Sequence, residues 1–156
     1  TGLPRMTSDT LHTLVVERRI RASQARVWHA WTDPETLRRW SCPAGMSIPE
    51  GRSEFRLHGA WEVTMVRTDT GEKHIAFGRY LEIDPPRRFV QSHQWRMPDG
   101  SSSPETTVAV DVIDEGATTL VRITQGPFSN VFSRDGHGEG WGSALDNLTT
   151  LLEADE

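Results

Sequence analysis

Hydrophobic positions change their period twice along this chain. In LHTLVVERRI, from Leu11 to Ile20, β-branched residues in loose alternation predict a first strand with Leu14, Val16 and Ile20 on one side. The spacing then becomes helical. Val27, Ala30 and Trp31 share a face in SQARVWHAW behind the cap residue Ser23, and DPETLRRW restarts with Asp33 as cap and Pro34 at the first helical position. A bent pair of short helices is predicted. Beyond Gly51 the period is two until about Gln125, interrupted by DTGE, Pro85-Pro86, PDGSSSPE and EGAT, sequences that turn a chain or end a ladder. Six or seven antiparallel strands joined by hairpins follow, beginning with one that carries Phe55 and Leu57.

The last segment returns to helical spacing. Trp141, Ala144, Leu145, Leu148, Leu151 and Leu152 recur three and four apart, so a helix of nearly five turns is predicted, started by Ser133 or Asp135. A lone helix with one apolar stripe after a run of strands must bury that stripe against the sheet, which makes the fold α+β in two layers.

With 156 residues the chain is one domain, expected at residues 11–153 after a disordered or vector-derived segment at 1–10. Net charge is -5, with acidic and basic residues interspersed. That balance argues against nucleic acid and against an anionic membrane surface, both of which need a basic face. Apolar runs such as Leu14-Val15-Val16 fall far short of the roughly 20 residues of a membrane span, and no charged-then-apolar leader is recognised. A cytoplasmic location is therefore expected. Cys42 is the sole cysteine, which rules out an internal disulfide and a cysteine-based zinc cluster and is read as an unreactive thiol.

Gly136, Gly138, Gly140 and Gly142 invite a phosphate-loop reading, but the lysine and hydroxyl of one such loop and the βαβ setting of the other are missing. Within a helix these glycines expose backbone, either for close packing on the sheet or to leave room for a ligand. His137 and Glu139, with His12, His29, His58 or His74, match no metal-ligand spacing. Neither a metal nor a cofactor is expected. Glu139 or Asp135 instead suits the positive end of the helix dipole.

Three stretches carry a family likeness: VWHAWTDPETLRRW at the helix pair, GRYLEIDPPRRFV in mid-sheet and HGEGWGSALDNL in the last helix. In that order and spacing, over roughly Leu11 to Leu152, they resemble the activator of heat-shock protein 90 ATPase homologue group of the START-like (SRPBCC, helix-grip) superfamily. The resemblance implies a sheet gripping the long helix, two small helices plugging one end, and a cavity between helix and sheet. It implies no single function, because the superfamily includes lipid carriers, aromatases and cyclases, hormone receptors and cochaperone domains.

Alternation then nominates the cavity wall. Phe55, Trp61, Met65, Phe77, Arg79, Gln91, His93, Trp95 and Gln125 point inward on the strands, and Trp40, Phe128, Trp141 and Leu145 complete the proposed lining. Among these Arg79, Gln91, His93 and Gln125 form a polar patch in an apolar and aromatic pocket, the usual makeup of a small-molecule site. A slip of one residue would put all four in solvent. With a pKa near neutrality, His93 would exchange a proton with a bound phenol or keto group. The leading expectation is binding of a small hydrophobic or aromatic molecule, since no nucleophile, base and orienting group align by spacing. A polyketide cyclase or aromatase-like enzyme using His93 and Arg79 is one alternative, and a chaperone-associated or regulatory protein-binding module is another. The first strand, if a sheet edge, offers a route to a homodimer.

Overall fold

The computed structural model describes residues 12–42 and 45–154. The segment at 1–10 expected to be disordered or vector-derived lies outside them. In chain order the elements are β1 (Leu14–Ile20), α1 (Gln24–Thr32), α2 (Pro34–Trp40), β2 (Met46–Ser53), β3 (Ala60–Arg67), β4 (Lys73–Asp84), β5 (Arg88–Arg96), β6 (Thr106–Asp114), β7 (Thr119–Gly126) and α3 (Val131–Ala154). The strands form one antiparallel sheet in the order β1-β7-β6-β5-β4-β3-β2. β2 to β7 are the expected meander, and β1 joins its far side by pairing with β7.

Local chemistry starts the helices where the sequence predicts. The Ser23 hydroxyl accepts from the Arg26 N–H, and the Asp33 carboxylate accepts from the Thr36 N–H while Pro34 occupies the first turn. α3 begins earlier than expected: the Asn130 side chain accepts from the Ser133 N–H at 2.8 Å, so the helix runs 24 residues from Val131. Its stripe of Ala144, Leu145, Leu148 and Leu152 is buried. Arg18 on β1 reaches Asp146 at 2.6 Å, and Asn147 Nδ2 donates to the carbonyls of Trp40 and Cys42, which fixes α3 against both the sheet and the helix pair.

Two features of the sheet depart from the sequence reading. Met46–Ser53 is a strand, whereas Phe55 and Leu57 lie in the loop after it; Phe55 still packs on the core and Leu57 is half exposed. On β4 the inward residues are His74, Ala76, Gly78 and Tyr80, because they pair with inward-facing Met65, Val63, Trp61 and Gln91. Phe77 and Arg79 therefore face outward. The register shifts between Tyr80 and Glu82, which returns Ile83 to the core side.

The reason is steric. A Cβ at Gly78 would lie 1.9 Å from the Ser92 carbonyl oxygen and 2.8 Å from Trp61 Nε1, so only glycine fits where the indole crosses β4 to donate to that oxygen. Ala76 and Gly78 face in to admit the Trp95 and Trp61 rings, and Phe77 and Arg79 between and beyond them face out.

The core is richest at the end closed by α1 and α2. Trp31 meets Trp40 edge-on at 4.6 Å, and Trp28, Phe55 and Tyr80 surround Phe89 at 5.7 to 6.1 Å. Cys42 is buried there, with its thiol donating to the Met46 carbonyl and its pKa raised by desolvation, in keeping with an unreactive thiol.

Candidate functional site

At the opposite end, the first turns of α3 and the sheet leave an open cleft of about 1070 Å³. β5 supplies His93 and Trp95, β6 supplies Thr106, the β7–α3 connection supplies Pro127, Phe128 and Ser129, and α3 supplies Ser133 and His137. The start of β4 and the β5–β6 loop, from Met97 to Pro104, form the rim. That loop is pinned to its strand: the Trp95 N–H donates to Ser103 Oγ at 2.8 Å, and the Ser103 N–H donates back to the Trp95 carbonyl. Asp99 closes the loop tip by accepting from the N–H and hydroxyl of Ser101.

The inner wall is aromatic. Phe128 stacks on His137 at 4.8 Å with rings tilted by 39°, Trp95 lies edge-on to His93 at 5.2 Å, and Trp61 backs His93 from behind at 5.6 Å. The two histidines are 6.1 Å apart and differ chemically. His137 is committed: the Trp95 indole donates to its Nε2 at 3.0 Å, so its Nδ1 carries the proton and donates to the Ser133 carbonyl at 2.8 Å. His93 is 8% exposed, and no described residue hydrogen-bonds either of its ring nitrogens. Burial first, and then the nearby His137, push its pKa down to about 4. The expected neutral-pH proton exchanger is therefore an uncharged imidazole at neutral pH.

The sequence-nominated lining divides into separate places. His93, Trp95 and Phe128 stand in the cleft wall, with Trp61 directly behind. Gln125 is 1% exposed and already satisfied, accepting from Trp141 Nε1 at 2.8 Å and donating to Thr106 Oγ1 at 3.0 Å. Trp141 is half-buried beside it, and Leu145 is fully buried in the core. Trp40 is core as well, its indole donating to the Ala30 carbonyl. Gln91 and Met65 face inward outside the cleft lining, and Phe55 belongs to the aromatic cluster at the other end. Phe77 lies under the Arg96 guanidinium at 4.9 Å on the outer face, where Arg79 donates to the His58 carbonyl. The four-residue polar patch is thus not assembled, and His93 is its one member in the cleft.

His137 is the wall residue that the strand pattern left out. It stands four residues before Trp141 and eight before Leu145, so the buried stripe extended backwards by two turns reaches it. Among the described residues no group of three or more histidine, cysteine, aspartate or glutamate side chains is placed to hold a metal. The glycines of α3 do not line the cleft. A Cβ at Gly138 would touch Leu14 at 3.1 Å, the close-packing role, whereas one at Gly136 or Gly142 would meet nothing within 4 Å.

A curled antiparallel sheet around a long C-terminal helix, with a helix pair at one end and a cleft at the other, defines the helix-grip class. Within it the chain belongs to the family described as Activator of Hsp90 ATPase homolog 1-like protein, whose profile matches residues 21–153. Solved structures agree in fold. The AHSA1 protein of Silicibacter pomeroyi is 20% identical over 92% of this chain and 99% of its own, with a TM-score of 0.83. A Chromobacterium violaceum protein is 24% identical over 90% and 97%, at 0.78, and a Rhizobium leguminosarum protein 26% over 91% and 94%, at 0.75. No curated protein matches the chain. No helix among the described residues is long and apolar enough to cross a membrane.

Proposed function

We propose that the protein binds a small, mainly aromatic or apolar molecule in the cleft between the sheet and the N-terminal turns of α3. The observation that carries this reading is a cleft of about 1070 Å³ whose inner wall joins indole, phenyl and imidazole rings from β5, α3 and the connection before it. A few polar groups in a concave aromatic wall are the makeup of small-molecule sites. Binding is favoured over catalysis because His93 and Arg79, the pair a cyclase-like reaction would use, lie on opposite faces of the sheet.

The test is a thermal-shift screen with aromatic and fatty compounds, followed by titration of tryptophan emission. At least one aromatic class should raise the Tm and perturb the emission, and Phe128→Ala should weaken its binding at least about threefold. Silence across a broad library would sink the reading and favour a protein partner.

A further inference from the structure

We infer that the inner end of the cleft selects an uncharged hydroxyl of the phenol type over a carboxylate, and that the His93 imidazole is the residue that reads it. This rests on the ligand-binding reading above.

Trp61, Trp95 and His137 stand around the His93 ring at 5.6, 5.2 and 6.1 Å, and the ring itself forms part of the cleft wall. Both nitrogens of His137 are occupied by protein partners, and among the described residues neither nitrogen of His93 is. A neutral imidazole offers one donor and one acceptor. A hydroxyl group can answer either, so a phenol at this depth takes the place of water on an imidazole that no described residue hydrogen-bonds.

A carboxylate would be served poorly. His137 is the titratable group facing His93 from α3, and its ring nitrogens are engaged. The charged residues of the cleft lie on its rim: Glu72 is 3.0 Å from His74, Arg96 is 3.6 Å from Glu62 and covers Phe77, and Lys73 stands at the start of β4. None pairs with His93, so an anion brought to the inner wall would lose its water without meeting a cation. To form an ion pair, His93 would first have to take up a proton that its buried position disfavours.

Naphthol, naphthalene and naphthoate, matched in shape, test this in the full chain by calorimetry or tryptophan emission at neutral pH. Naphthol should bind about 3- to 10-fold tighter than naphthalene, the worth of one neutral hydrogen bond, and naphthoate more weakly than naphthol. His93→Phe should abolish the naphthol preference, read as the ratio of naphthol to naphthalene affinity within the same variant; His93→Leu serves equally if the phenylalanine variant fails to fold. A preference that survives both variants overturns the inference. So does naphthoate binding as tightly as naphthol, or naphthol no better than naphthalene, and in those cases the broader ligand-binding reading stands. Failure of all three probes also overturns the inference, and the thermal-shift library then decides the broader reading by itself.

Discussion

An imidazole walled by two indoles and a second imidazole carries its environment into the pH dependence of folding. His93 has a native pKa of about 4 against 6.5 for a solvated ring. Between those values the unfolded chain binds a proton that the native state does not, so stability rises with pH through the window, is complete above 6.5 and is lost toward 4. The full difference is on the order of 3 kcal/mol. His93→Gln should therefore flatten the stability profile of urea unfolding across that window, and parallel profiles for the two proteins would contradict a neutral His93. The carboxyls of Asp33, Asp69 and Asp99, lowered mainly by hydrogen bonds to them, contribute above their ordinary value of 3.8 and fade below it, outside the window. His93 was legible in the sequence because β5 alternates without interruption. Alternation alone puts Arg79 and Phe77 inside because it favours the bulkier apolar set, and nothing local announces that Trp61 needs Gly78 there instead. Gly78→Ala should accordingly destabilise by about 2 to 3 kcal/mol in chemical denaturation, since its Cβ meets backbone that cannot yield.

At the scale of the element, α3 combines an apolar stripe, which made it readable, with glycines that weaken it. Gly136 and Gly142 sit in helical backbone with no neighbour awaiting a methyl group, so alanine at either should stabilise by about 0.5 to 1 kcal/mol. Gly138→Ala has the same propensity gain opposed by Leu14 at 3.1 Å, so its effect should fall below those of the other two or change sign. Equal gains at all three positions would remove the packing role assigned to Gly138. The sequence pattern puts the helix start too late because its cap, Asn130, precedes a turn in which Val131 and Phe132 are exposed and no apolar period has begun. β2 is hidden in the sequence for a related reason. MSIPEGRS contains proline and glycine, shifts register between Ser47 and Glu50, and is a strand by virtue of pairing along β3 rather than by its own pattern.

Over the whole molecule, the sheet carries a packed aromatic cluster at the α1–α2 end and an open aromatic cleft at the other, and both use tryptophan. Sequence shows six indoles without saying which are structural, because the distinction depends on what the loops and α3 bring against each ring. The β5–β6 rim in particular is assembled by tertiary contacts that no spacing reveals. The two ends should separate experimentally. Trp40 is fully buried and donates to the Ala30 carbonyl, so Trp40→Phe should lower stability by about 1 to 3 kcal/mol through lost volume and an unpaired carbonyl. Its folded fraction should bind a cleft ligand unchanged. Trp95 is half-buried and tethers His137 through its indole N–H, so Trp95→Phe should cost less in stability yet weaken ligand binding severalfold and remove much of the ligand-induced change in emission. Parallel urea melts and emission titrations on the two variants measure both effects. If the Trp40 variant, held fully folded, lost as much affinity as the Trp95 variant, the recognition site would have to extend into the aromatic cluster beneath α1 and α2.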